Sequence, residues 1–384
     1  MYPVFSYNIG HEEIDAAVKA LKGKSLTRGT YTEKFQYNFS KYIGSKHCLV
    51  VNSGTSSLET ALELLQLDRG GEIIMPSLTC RAAVDAVILK GGTPVFVDID
   101  PDYFFLNPVK AAEAISSKTK AIMVVHLYGG TGDIKKISSI ATNHHVSLIE
   151  DCAHSVGSEF DNRKLGSFGN LASFSFYQIK PMTTGGEGGA LLLKEDMLYK
   201  KGCYLVGTTD FGHRSELKNW QSIISEKSAQ FSYPGHNLRM TEMQAAIGLV
   251  QLKKVDKLNR KRRVIAGKID EIFSAYSKYI TIPKIHPKAR HSFYVYTAKI
   301  NSNYKEWRNK LMRSFFKNGI MTSLMYCPPQ HLQKVYRGKI KVGQLRQTET
   351  ISKQILSIPV NPYLERKKLN DFLNKVEKSM KVFK

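Results

Sequence analysis

Five short apolar runs, each leading into a helical pattern, constrain this chain more than anything else in it. They cover residues 48–51, 72–76, 93–98, 121–126 and 146–151. The run 121–126 (Ala-Ile-Met-Val-Val-His) is uniformly apolar until its last residue, rather than alternating. Such a strand is buried on both faces, which places it in a mostly parallel sheet with helices on either side. The predicted fold class is therefore α/β. Ligands in sheets of this kind sit at the carboxyl ends of the strands. Ser53, His126, Asp151 and Lys180 all fall at such ends. Core packing alone does not account for four polar strand ends.

Lys180 has the most specific setting. The run Ser173-Phe174-Ser175-Phe176 reads as a strand that delivers this lysine into a glycine-rich turn ending at Gly188-Gly189. Burial at a strand end disfavours the ammonium, lowers its pKa and frees the amine as a nucleophile. A Schiff-base lysine needs that property. The competing structural reading is a lysine that snorkels to the surface.

Two further stretches offer complementary chemistry. Cys48-Leu49-Val50-Val51 runs into Asn52-Ser53-Gly54-Thr55-Ser56-Ser57 and then a helix over 58–65. A strand, a small-residue turn and a helix start make an anion site, with the Thr55 and Ser56 hydroxyls as added donors. Asp151 follows Leu148-Ile149 and is expected to be partly buried. A carboxylate there needs a cationic partner. A protonated pyridine nitrogen would serve, and pairing with Asp151 would keep such a ring an electron sink. The plain alternative is that Asp151 caps a helix beginning at Cys152. His154 lies three residues on, within reach of a second group on the same ligand.

Around residue 255 the α/β pattern gives way to a basic helix, a strand over 291–300, a helix over 305–318, an aromatic and proline-rich loop over 325–331, and a closing helix over 367–382. This predicts a large α/β domain with an N-terminal arm over 1–255 and a smaller α+β domain over 256–384. In the basic helix, Leu249, Leu252, Val255 and Leu258 form one apolar stripe, opposite a solvated face that includes Arg260 to Arg263. The stretch 207–231 carries no readable pattern. The net charge is +23, which suits nucleic acid, anionic membranes or phosphorylated ligands. No nucleic-acid motif accompanies it. The five cysteines are scattered without a CxxC pair, which argues against a disulfide framework or a zinc site. The beginning of the chain lacks a basic region followed by an apolar one, and no run is long enough to span a bilayer. A cytoplasmic location is the expectation.

Taken in order, these pieces resemble the DegT/StrS family of pyridoxal-phosphate aminotransferases, most of which act on nucleotide-linked keto sugars. The resemblance rests on Ser53-Gly54-Thr55-Ser56-Ser57-Leu58, Met75-Pro76-Ser77-Leu78-Thr79, Pro94-Val95-Phe96-Val97-Asp98, His126-Leu127-Tyr128-Gly129, Glu150-Asp151-Cys152-Ala153-His154, Ser175-Phe176 with Lys180, Glu187-Gly188-Gly189, and Asn237-Leu238-Arg239-Met240-Thr241-Glu242. It implies fold type I, with a mostly parallel sheet of the seven-stranded kind flanked by helices, and a homodimer whose active sites are shared. It implies pyridoxal 5'-phosphate as cofactor, L-glutamate as amino donor and a keto sugar on a nucleotide diphosphate as acceptor. Lys180 resembles the lysine that joins the cofactor's aldehyde and then moves the proton. Asp151 resembles the partner of the pyridine nitrogen, and His154 the group near the phenolic oxygen. Gly54, Thr55, Ser56 and Ser175 match the phosphate region. Asn237 matches an asparagine that reaches the neighbouring subunit's phosphate. Cys80 stands where many relatives place an aromatic residue against the cofactor ring, and Leu238 where an aromatic is common.

Two other functions compete. A pyridoxal-phosphate sugar dehydratase shares the fold, but relatives with that activity carry histidine at the position of Lys180. A non-catalytic regulatory or nucleic-acid-binding protein would rest on the basic helix alone.

Overall fold

The computed structural model describes residues 1–67, 70–208, 233–301 and 306–383. Of the unpatterned stretch 207–231, residues 209–231 lie outside the described residues, as does Lys305, the expected first residue of a helix.

The apolar runs assemble into one eight-stranded sheet. Across it the order is His47–Val51, Gly189–Leu193, Leu171–Ser175, Ser147–Asp151, Thr119–Val125, Glu72–Pro76, Thr93–Val97 and Lys341–Val342. From Leu171–Ser175 to the Lys341–Val342 edge every pairing is parallel. Gly189–Leu193 runs antiparallel to both its neighbours. Seven strands of this sheet are the expected α/β core, and the eighth comes from the far end of the chain. The strands Glu72–Pro76, Leu171–Ser175 and Gly189–Leu193 are buried at every residue, with Glu72, Ser173 and Ser175 as buried polar exceptions in otherwise apolar runs. Helices cover both faces, with Phe35, Phe39, Phe174 and Phe176 in one core and Leu58, Leu62, Val84 and Val87 in the other.

The helix Glu242–Ser274 runs unbroken through residue 255. Thr241 and Gln244 form a capping box at its start. Buried Glu242 accepts the backbone N–H groups of Gly29, Tyr31 and Thr32, which open the helix Thr30–Ile43. Past this long helix lies a second core around Phe273, Tyr296, Phe315 and Phe372. It packs on the three-stranded sheet Ile280–Thr281, Tyr296–Ile300 and Ile355–Ile358.

Three expectations need correction. The strand over 291–300 is regular only at Tyr296–Ile300. Its first half instead donates from Ser292 N–H to Gly129 O and from Tyr294 N–H to Tyr128 O, which ties it to the turn after Thr119–Val125. The helix expected to begin at Leu58 begins at Gly54, because Ser53 caps it by accepting from Ser56 N–H at 3.1 Å. Arg262, placed on the solvated basic face by its neighbours, is 3% exposed. Lys253, Lys257, Arg260 and Lys261 do face solvent. No helix among the described residues is long and apolar enough to cross a membrane.

Candidate active site

A cavity of about 310 Å³ opens at the carboxyl ends of the central strands. Gly54, Thr55, Cys80, Asp151, His154, Ser175 and Lys180 line it, so most of the expected site residues meet in one place. Ser53, Tyr177, Glu187 and Tyr326 line it as well.

The helix start at Gly54 forms one wall. A Cβ at Gly54 would come within 2.7 Å of the Ser175 Cβ, so only glycine lets this turn approach the end of the strand Leu171–Ser175. First-turn amides of a helix have no intrahelical acceptor and favour an anion. Ser56 is not on this wall. It is 8% exposed, and its hydroxyl donates to Asn52 Oδ1 at 2.6 Å. Ser53, which precedes the helix, takes the place beside the cavity. Asn237 also lies elsewhere, exposed on the segment whose Leu238 O accepts from Asn52 N–H.

Asp151 ends the strand Ser147–Asp151 and is 4% exposed. No helix follows it. The chain turns, and Ala153 N–H donates to Asp151 Oδ1 at 3.0 Å. Among the described residues nothing donates to the other carboxylate oxygen. Burial pushes the Asp151 carboxyl above its ordinary range, opposed by the Ala153 amide, Lys180 and His126. A cation placed at that free oxygen would hold the group ionised.

His126, the strand-end histidine, turns away into the protein. Its Nε2 lies 3.0 Å from Glu150 Oε2. Glu150 also accepts the N–H groups of Gly166, Phe168 and Gly169. His126, Glu150 and Cys152 bring ligand-type atoms within 4.8 Å of one another. The carboxylate is already saturated by donors, so the trio makes a buried polar knot beneath Asp151 rather than an open metal site.

Lys180 is not at a strand end. The strand stops at Ser175, Phe176 N–H and Gln178 N–H donate to Gly188 O and Gly186 O, and the chain turns so that Lys180 N–H donates to Tyr177 O. Arg262 holds the next residue: its guanidinium donates to Pro181 O at 3.0 Å and to Asn259 Oδ1 at 2.6 Å. The Lys180 amine lies 5.5 Å from the centre of the Tyr294 ring. Burial lowers its pKa, partly opposed by Cys80 and Asp151. Lys180 in turn adds to the burial that keeps His154 well below the ordinary imidazole range.

A family model described as "DegT/DnrJ/EryC1/StrS aminotransferase family" matches residues 7–377. The chain belongs to that family. The aminotransferase is 31% identical over 379 residues to the spore coat polysaccharide biosynthesis protein SpsC of Bacillus subtilis, covering 97% of this chain and 95% of that protein. It is 32% identical over 333 residues to a GDP-perosamine synthase of Caulobacter vibrioides, covering 87% of this chain and 85% of that one. Among solved structures it is similar to Helicobacter pylori PseC, an aminotransferase involved in the biosynthesis of pseudoaminic acid. The match has a TM-score of 0.85 and 28% identity, and covers 99% of this chain and 100% of that one.

Tyr326 is the lining residue that sequence reasoning left in an unassigned loop. It comes from a segment 172 positions away from its partner His154. Only the aromatic and proline content of 325–331 signalled it.

Proposed function

We propose that this aminotransferase uses pyridoxal 5'-phosphate to move an amino group from L-glutamate to a keto sugar carried on a nucleotide diphosphate. It does so in the cytoplasm, as a homodimer with shared sites. The observation that carries the reading is the free Asp151 oxygen in the same cavity as a buried, easily deprotonated Lys180 and a helix start. Pyridinium nitrogen, aldehyde and phosphate each find a suited group there, so the residues present fit the cofactor. Relatives named for GDP-perosamine synthesis support the sugar-nucleotide acceptor.

When bound, pyridoxal phosphate supplies an electron sink for cleavage of the substrate's Cα–H bond. The protein supplies the rest. The Gly54–Thr55 turn, with the Ser175 hydroxyl, would hold the phosphate. Asp151 would keep the ring nitrogen protonated by pairing with it in a dry setting. Lys180 Nζ would be the amine that holds the aldehyde and the base that takes and returns the proton, for which a lowered pKa suits it. Cys80 Sγ accepts from Ala82 N–H at 3.2 Å and turns a small soft face, in place of an aromatic ring, to the cavity. Asn237 would complete the neighbouring subunit's phosphate site.

The test is a visible spectrum of the purified protein with and without glutamate, followed by borohydride reduction and peptide mass analysis. A visible band should convert to a shorter-wavelength form when glutamate is added. Reduction of the protein before glutamate is added should leave a phosphopyridoxyl group on Lys180. Label on another lysine, or none, would overturn the reading.

A further inference from the structure

His154 has both ring nitrogens engaged. Tyr128 N–H donates to Nδ1 at 3.4 Å, and Nε2 lies 3.0 Å from the Tyr326 hydroxyl. A peptide N–H can only donate, so Nδ1 carries the lone pair. Burial and the nearby Lys180 keep the ring neutral. A neutral ring with a bare Nδ1 carries its hydrogen on Nε2, and that hydrogen points at the Tyr326 oxygen. His154 is thus the donor and Tyr326 the acceptor. The opposite assignment would put two N–H groups head to head at Nδ1.

The hydroxyl hydrogen of Tyr326 is then left over. Among the described residues it has no acceptor, and Tyr326 lines the cavity. The loop that carries it is clamped. Gln330 N–H and Nε2–H donate to Ser77 O and Thr79 O, and His331 N–H donates to Ser77 Oγ at 2.9 Å. Tyr326 and Tyr128, the two residues that grip His154, both sit in the left-handed region, at φ 65° and 58°. Bulky side chains adopt that conformation at a cost, and such residues cluster at functional sites.

We propose that Tyr326, oriented by His154, is the hydrogen-bond donor that this cavity presents to an electron-rich oxygen of its occupant. That oxygen is either the phenolate of the cofactor or the carbonyl of the keto sugar. His154 would then act through Tyr326 rather than touch the occupant itself. The proposal rests on the pyridoxal-phosphate reading above.

Tyr326→Phe keeps the ring and deletes the donor. In the reconstituted protein, the pH midpoint of the lysine-bound cofactor's visible band is read together with the KM for the keto sugar. A donor to the phenolate favours the deprotonated form of the lysine-bound cofactor, so its loss should raise the midpoint by about one pH unit. A donor to the sugar carbonyl would leave the midpoint in place and raise KM about tenfold. His154→Gln supplies the relay chemistry again. Its carbonyl can accept from Tyr128 and its amide donate to Tyr326. That variant should stay close to the unmodified protein, while His154→Leu should follow Tyr326→Phe. A visible band with neither midpoint nor KM moved in Tyr326→Phe would overturn the proposal and leave the wider reading standing. The same holds if His154→Gln behaves like His154→Leu. A protein that forms no band would overturn both.

Discussion

At Asp151, one carboxylate oxygen is held by Ala153 N–H and the other faces the cavity without a donor. Asp151→Asn should keep much of the cofactor bound through the phosphate wall and Lys180. It should also cut turnover about a thousandfold or more, since a neutral amide cannot hold the ring nitrogen protonated. Steady-state kinetics alongside cofactor absorbance would check this, and near-normal turnover would remove Asp151 from the role. Lys180 gives a pH prediction with a definite sign. Burial lowers its pKa from 10.5, and only the neutral amine attacks the aldehyde. The rate at which apo-protein captures pyridoxal phosphate should therefore rise with pH and level off at a midpoint below that of a free lysine. Stopped-flow absorbance would read it. A midpoint at or above the free-lysine value would contradict the burial argument.

Among the elements, the long helix Glu242–Ser274 shows what the sequence conveyed and what it hid. Leu249, Leu252, Val255 and Leu258 do turn inward, as their spacing predicts, and Lys253 and Lys257 do face solvent. Arg262 breaks the pattern, because the turn after Lys180 packs on that side of the helix and offers the Pro181 carbonyl. Its guanidinium, pulled down to about 10 by burial, stays charged, and its hydrogen-bond acceptors among the described residues are the neutral oxygens of Asn259 and Pro181. Arg262→Met removes a buried charge but strands two acceptors, and these effects roughly offset in stability. The melting temperature should hold within a few degrees (about 1 kcal/mol) while kcat falls about tenfold, because Lys180 is less well placed. An unchanged kcat would deny Arg262 that positioning role. The same contrast runs through the site. Strands were legible because burial on both faces demands uniform apolarity. Asp151 was legible because it interrupts that apolarity at a strand end, and Lys180 because the run 173–176 and a glycine-rich turn bracket it, although it sits in the turn beyond the strand. Ser56 was named for its hydroxyl at a helix start, and what the sequence did not convey is that this hydroxyl donates to Asn52 Oδ1. Tyr326 was hidden because loop contacts across such sequence distances leave no periodicity.

For the whole molecule, the proposal that Asn237, exposed on its own chain, serves a neighbouring subunit has a direct test. Mixing an inactive Lys180→Ala protein with an inactive Asn237→Ala protein should recover part of the activity through hybrid dimers. No recovery after verified subunit exchange would count against shared sites. The chain also closes on itself late. Lys341–Val342 covers the Thr93–Val97 edge of the main sheet. Beside it Asp98 accepts the N–H groups of Gln347 and Thr348 at the start of the helix Arg346–Gln354. Asp98 and Thr348 are 250 positions apart. At translation rates of about 5–20 residues per second, a growing chain waits on the order of ten to fifty seconds between making that edge and covering it. During this time the nascent protein carries an open strand edge, a template for pairing with its neighbours on the same polysome. Premature termination anywhere between residues 100 and 340 therefore leaves a fragment expected in the insoluble fraction, whatever its own core can bury.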